Sequence, residues 1–274
     1  MAAVPEPTMP PLMQWLTLLA VSGVVLFVLW LRQLRTKNAT SVDAAWAALT
    51  GSMGIAFAIL GQGAPLQRGL AAAIAAIWGG RLTWHLLRDR VFGHSGEDGR
   101  YAAMRAHFGD RAAVHFLWFY LLQALVAGVF ALPFLLLAQN QAAELGLIQV
   151  LGLLALILGF AIESIADAQL ARHRKDPTQR GRTCRSGLWR YSRHPNYFGE
   201  WLLWCGIAVI AFPSPHGFYA LFAPALMYGL IRYVSGVPFA EKQALRSRGE
   251  DYRRYMATTN TFFPGPTRPE PNVR

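Results

Sequence analysis

Seven runs of apolar residues, most of them long enough to cross a bilayer, dominate this chain, lying near 12–31, 41–60, 66–88, 113–137, 145–168, 196–213 and 216–236. About 20 helical residues span a hydrocarbon core. Lipid offers backbone groups no partners, so each run must satisfy its own by forming a helix. The second and sixth runs are short and the seventh is weak, which leaves six or eight spans as alternatives to seven. The expected fold is all-α: a polytopic membrane helical bundle of about seven transmembrane helices, a single integral membrane domain over residues 1–274. A composition 54% hydrophobic and 15% charged agrees with that class.

The net charge of +11 invites a nucleic-acid reading. It is rejected because the basic residues sit in short segments between apolar runs. Arg32, Arg35 and Lys37 follow the first run, and Arg88, Arg90, Arg100, Arg105 and Arg111 follow the third. Eight more lie between Arg172 and Arg193, and another eight between Arg232 and Arg274, whereas the opposite loops hold only Arg68. The positive-inside rule therefore places the N-terminus outside and the C-terminus in the cytoplasm, with loops 88–112 and 169–195 cytoplasmic. The opening Met-Ala-Ala-Val-Pro-Glu-Pro has no basic leader and does not read as a cleaved signal peptide. Cys184 and Cys205 make neither a disulfide framework nor a metal motif.

Ionisable groups inside a span cost about 2.5–3.5 kcal/mol each on insertion scales. Here they are few and lie near cytoplasmic ends. Asp43 opens the second span with Trp46 one turn on. Arg81, Trp84, His85 and Arg88 form one stripe of the third. Glu163 and Asp167 end the fifth, with Arg174 continuing the same helix. Arg32, Arg88 and Arg90 read as charges snorkelling to headgroups. Glu163 has two readings, a structural partner of Arg81 or part of a ligand site.

The stretch Tyr191–Trp204 carries the densest signal. Pro195 starts a helix, since its missing N–H falls among donors with no intrahelical partner. Asn196, Glu200 and Trp204 recur every fourth residue and share one face, beneath Arg193 and His194. An amide and a carboxylate there need partners. The loop 169–195, with eight Lys or Arg, folds back at Asp176-Pro177 and Ser186-Gly187. Its guanidinium forks suit phosphate, and anionic-lipid anchoring is the competing reading. The segment from Pro238 to about residue 260 reads as cytoplasmic: an amphipathic helix, a break at Gly249, and a second short helix. Tyr252, Arg253 and Tyr255 on that second helix are placed to close over a site.

From about 145 to 264 the chain resembles the steroid 5-alpha-reductase-like membrane enzymes, and is closest to their bacterial branch. The residues that carry this are Glu163-x-x-x-Asp167, Arg174, Gly187-Leu188, Tyr191, Asn196-x-x-x-Glu200, Trp204, Glu241, Asp251-Tyr252 and Pro264. The resemblance implies NADPH bound from the cytoplasmic side by Asp167, Arg174, Asn196, Glu200 and Tyr252, in a bacterial cytoplasmic membrane. Glu163 stands where those enzymes carry an amide. No Gln-Glu pair like the one that grips their substrate occurs on the second span. Arg193-His-Pro-Asn-Tyr-Phe-Gly199 is also similar to the motif of isoprenylcysteine and phospholipid methyltransferases, which implies S-adenosylmethionine instead.

The expected activity is hydride transfer from NADPH to an activated alkene of a lipophilic substrate entering from the bilayer. The nicotinamide is expected between the third, fifth and sixth spans. Glu163, Asp167, Arg174, Arg193, His194, Asn196, Tyr197, Glu200, Trp204, Tyr252 and Arg253 are assigned to the cofactor. Arg81, Trp46 and Trp84 are assigned to the substrate, and His85 with Asp43 to protonation of its carbonyl. No metal is expected.

Overall fold

A computed structural model describes residues 9–93 and 96–269, and every regular element among them is helical. In order the α-helices are α1 (Pro11–Thr36), α2 (Ser41–Leu60), α3 (Pro65–Leu86), α4 (Gly99–Phe108), α5 (Ala112–Leu137), α6 (Leu147–Lys175), α7 (Pro195–Ala211), α8 (Phe222–Gly229) and α9 (Val237–Thr258), with short 3-10 and π-helical turns between them. Six helical stretches among the described residues are long and apolar enough to cross a membrane. The expected sixth span, α7, has 17 residues and so a length of about 26 Å at 1.5 Å per residue. It is shorter than each of those six stretches. The expected seventh, 216–236, lies within the apolar helical stretch Gly217–Thr258, in which α8 gives way to a π-helical turn at Leu230–Val234 before α9 begins.

The described residues divide into two compact units. The first holds the chain up to Leu145 together with Ala211–Tyr219; the second holds Gly146–Ile210 and the chain from Ala220 on.

In the first unit α2 lies against α3 and α5, and α1 against α5. Small residues bring α2 and α3 together, since a Cβ on Gly79 would lie 2.8 Å from Gly51 Cα. Two indoles fasten α1: Trp15 Nε1 donates to the Gly128 carbonyl at 2.9 Å and Trp30 Nε1 to that of Ala113 at 2.9 Å. The buried core is aromatic, with Phe57, Phe130 and Phe134 fully covered. Along α1 the outward side chains Leu16, Val24 and Val28 are exposed, a surface that suits lipid and would be costly in water.

In the second unit four glycines set the approach of α6 and α7. Gly152 and Gly159 on α6, and Gly199 and Gly206 on α7, are each seven residues apart, so each pair lies on one face. A Cβ on Gly159 would stand 2.4 Å from Leu203 N, one on Gly199 2.5 Å from Glu163 N, and one on Gly206 2.4 Å from Leu156 N. Backbone meets backbone along this seam, the arrangement small residues permit between membrane helices. The helix α9 breaks at Gly249, where φ is 49° and ψ −122°, at the position the sequence marks.

Overpacking such a contact costs about 1–3 kcal/mol. Gly199→Val is therefore expected to lower the thermal midpoint of the detergent-solubilised protein by several degrees. Gly69→Val, at a glycine with nothing within 4 Å of its would-be Cβ, is expected to leave it nearly unchanged.

Candidate functional site

The start of α7 is held by one guanidinium. Arg193 Nε donates to Glu241 Oε1 at 2.8 Å. Its Nη1 donates to the carbonyls of Met256 at 3.0 Å and Thr259 at 2.8 Å. Its Nη2 serves Thr261 Oγ1 at 2.8 Å and Glu241 Oε1 at 2.8 Å. Four of its N–H donors are hydrogen-bonded inside the protein and the guanidinium is ion-paired with Glu241. This corrects the expectation for Arg193: it joins α7 to α9, and its guanidinium is committed to that junction. His194 is buried beside it, stacked on Tyr197 with ring centroids 5.4 Å apart, and its Nε2 lies 3.3 Å from Glu241 Oε1. Burial pushes this imidazole below its ordinary pKa despite the carboxylate, so it is neutral near pH 7.

The rest of α9 supports the same junction. Tyr255 donates its hydroxyl to the carbonyls of Trp189 and Ser192. Ser192 Oγ donates to Phe262 O at 2.8 Å. Tyr252 is 4% exposed, packed on Tyr255 with the Arg248 guanidinium over its ring. Arg253 points the other way, exposed and paired with Glu250. Tyr252 and Arg253 thus do not form a lid together.

Beneath the junction, α6 and α7 bring together the polar face that the four-residue period implies. Asn196 Nδ2 donates to Asp167 Oδ1 at 2.9 Å, and Asn196 Oδ1 accepts the Tyr197 N–H at 3.0 Å. Trp204 Nε1 donates to Glu200 Oε1 at 3.1 Å, and the indole is fully buried. The Gly199 contact puts the Glu163 backbone against α7. Glu163, Asp167, Asn196, Glu200 and Trp204 therefore belong to one pair of helices with a fixed separation.

Five residues beyond Asp167, the last turns of α6 open into a cleft of about 730 Å³. Arg172 and His173 line it from α6, Asp176 from the C-cap of that helix, Arg182 and Arg185 from the loop, and Asp251 from α9. His173 Nε2 meets the Arg182 carbonyl at 3.1 Å and pins the loop to the helix. Gln169 Oε1 accepts the Leu188 N–H at 2.9 Å, and a Cβ at Gly187, where φ is +60°, would strike the Gln169 amide at 2.4 Å. This turn needs glycine for both reasons. The Asp251 carboxylate accepts the Thr183 N–H at 2.7 Å and Arg185 Nη2 at 3.0 Å. Asp176 accepts the N–H and hydroxyl of Thr178, and these bonds hold it below the usual carboxylate range. Arg174 does not line the cleft. Two residues past Arg172, it is turned roughly 200° around the helix at about 100° per residue. The basic loop was legible in the sequence as a whole; which of its arginines share a wall was not.

In the first unit the expected pairing of His85 with Asp43 does not form. Asp43 accepts Arg90 Nη1 at 2.8 Å, Arg100 Nη2 at 2.6 Å and the Tyr101 hydroxyl. It is the hub that ties loop 88–112 to α2. Arg90 belongs to this hub and is not a snorkelling charge, and Arg88 pairs with Asp89 at 2.7 Å. His85 Nδ1 lies 3.3 Å from Asp89 Oδ2. Trp46 packs edge-on against Trp78 and Phe130, while Arg81 is half-buried. Trp84 is 62% exposed at one end of a groove of about 380 Å³ between α2 and α3, with Gly51, Ser52, Gly79 and Thr83 in its walls. Arg100 and Tyr101 were missed because they sit on α4, a polar helix inside what reads as a loop.

A family model described as "Protein of unknown function (DUF1295)" matches residues 29–259. Uncharacterized protein C594.04c of Schizosaccharomyces pombe is 25% identical over 273 residues, covering 90% of this chain and 78% of that protein. The Delta(14)-sterol reductase erg24 of the same yeast is 31% identical over 129 residues, covering 41% of this chain and 29% of the reductase. No solved structure matches significantly.

Removing one partner of a buried ion pair typically costs about 3–5 kcal/mol. Arg193→Ala is expected to unfold much of the second unit at ordinary growth temperature. Arg193→Lys is not expected to rescue it, because an ammonium has three donors and no fork. Expression level and thermal midpoint in detergent measure both. Near-native midpoints in either variant would mean the junction is held by something else.

Proposed function

The chain belongs to the DUF1295 family, which is related to steroid 5-alpha-reductase-like proteins, and we propose that it is a membrane-embedded NADPH-dependent reductase of a lipophilic substrate. The observation that carries this is the basic cleft at the end of α6, one helical turn and a half from the Asp167–Asn196 pair. The partial likeness to a sterol reductase supports the same reaction class.

The second unit supplies the cofactor's ligands. The cleft arginines suit phosphate, with charge-assisted forks that bind oxyanions better than neutral donors do. The Asn196 amide, the Asp167 carboxylate and Glu200 suit the sugar hydroxyls and the nicotinamide amide. Bound NADPH supplies the hydride; the protein orients it and keeps water away. The acceptor is the carbon beta to a carbonyl in an activated alkene. The distribution of arginine supports a cytoplasmic cleft and C-terminus with the N-terminus outside.

S-adenosylmethionine chemistry is the alternative, from the Arg193–Gly199 motif. That motif's arginine and histidine here serve the α7–α9 junction, a role either enzyme class needs. The cleft's three arginines favour a phosphorylated cofactor over one that bears none.

Purified protein in nanodiscs is expected to bind NADPH saturably, read by quenching of tryptophan fluorescence, and to bind S-adenosylmethionine far more weakly. Glu200→Gln, which keeps an acceptor for the Trp204 indole, is expected to weaken NADPH at least roughly tenfold, about 1.4 kcal/mol. Saturable binding of S-adenosylmethionine and none of NADPH would overturn the assignment.

A further inference from the structure

We infer that the segment from Arg232 through the first turns of α9 rests on the membrane surface, where its exposed rings enter the lipid interface and Lys242 and Arg246 hold anionic phospholipid headgroups. The inference is independent of the reductase reading.

Within the second unit, exposed apolar side chains gather where α8 gives way to α9. Tyr233 is 66% exposed, Val234 60%, Phe239 45% and Phe263 50%. Tyr233 and Phe263 both lie against Tyr228, with ring centroids 6.0 and 5.9 Å from it, so the end of α8 and the chain after α9 build one surface. Val234 adjoins that surface in the chain, and Phe239 follows in the first turn of α9. The Arg232 guanidinium stands over the Tyr233 ring, 5.2 Å from its centroid. Apolar patches of this kind mark a surface that meets something other than water.

The start of α9 adds charge. Phe239, Lys242 and Arg246 fall at i, i+3 and i+7, on one helix face, and all three are exposed. Glu241 is the only carboxylate between Pro238 and Gly249, and it turns inward to Arg193 and His194. The face therefore shows two cations with no acid of its own stretch to neutralise them. Past the break at Gly249 the exposed charge is mixed, with Glu250 paired to Arg253.

Position in the chain selects the occupant. The helical stretch Gly217–Thr258 is apolar enough to cross a membrane, and its apolar run reaches Ile231 just before Arg232. The rings and cations sit at the change from apolar to polar sequence, the level at which hydrocarbon gives way to headgroups. Tyrosine is enriched at that level. Basic side chains there keep their stems in apolar surroundings and send their charge outward. A helix with an apolar anchor and a cationic face lies in the interface plane, and an anionic leaflet attracts that charge. A protein partner would have to supply acids matched to Lys242 and Arg246 and also cover rings at the edge of the bilayer; an anionic leaflet does both.

The test uses the full-length protein in nanodiscs of phosphatidylglycerol or of phosphatidylcholine, with a nitroxide attached in turn through Val234→Cys, Gln243→Cys and Ala257→Cys. All three residues are exposed, and Ala257, beyond Gly249, is the reference. Unsubstituted protein treated alike gives the background from Cys184 and Cys205. Collision with oxygen, which partitions into lipid, is compared with collision with a neutral nickel chelate, which stays in water. The label at position 234 is expected to favour oxygen several-fold more than the label at position 257 in both lipids. The label at position 243 is expected to be several-fold better shielded from nickel in phosphatidylglycerol than in phosphatidylcholine. Lys242→Glu combined with Arg246→Glu is expected to abolish that difference while leaving the thermal midpoint unchanged, since both side chains are exposed. Equal collision ratios at positions 234 and 257 would show a patch that faces water, as a protein-docking surface does, and would overturn the inference. Equal shielding at position 243 in the two lipids would overturn the assignment to anionic headgroups.

Discussion

The four hydrogen bonds and the ion pair of the Arg193 guanidinium are the interaction on which the second unit depends. They reach one carboxylate, two backbone carbonyls and one hydroxyl on segments 48 to 68 residues away. That fixes the end of α9 and the chain after it against the start of α7. Tyr255, on the same helix, then holds the carbonyls at Trp189 and Ser192. With α9 located, Asp251 meets Thr183 and Arg185, and the loop acquires the curvature that makes a cleft. The charge count of that loop allows many shapes; the junction selects one.

The glycine seam works at a second level. Because α6 and α7 touch backbone to backbone at Gly159, Gly199 and Gly206, side chains flanking the seam have little freedom in their separation. Asp167 and Asn196 meet at 2.9 Å as a consequence. A polar pair between membrane helices adds little stability by itself, on the order of 1 kcal/mol. Its value lies in presenting an oriented carboxylate and amide with fixed spacing.

Local rules were legible in the sequence wherever period or backbone chemistry decides. Pro195 starts α7, Gly249 breaks α9, and α6 continues through Arg174. The shared face of Asn196 and Glu200 follows from the same 3.6-residue period. Pairings across long loops were not legible. Asp43 finds Arg90 and Arg100, 47 and 57 residues away, and His85 settles on Asp89 in its own helix. Depth and order placed Asp43 and His85 at one level, but depth does not fix azimuth, and a carboxylate takes the nearest donors. The same limit applies to Arg174, which follows Arg172 by two residues and does not line the cleft.

Arg193 and Arg172 show why a motif alone cannot assign an arginine. The former sits in the most recognisable stretch of the chain, yet its guanidinium is committed to the fold. The latter sits in an unremarkable run of basic residues and keeps its donors for something else. Burying a guanidinium requires that all its N–H groups be satisfied, so a buried arginine at a junction is already committed. An arginine on a cleft wall pays no such penalty and can exchange water for an anion. Sorting the cations of a membrane protein by which of these two conditions they meet separates scaffold from exposed surface, and here it puts Arg193 with the scaffold and Arg172 on the cleft wall.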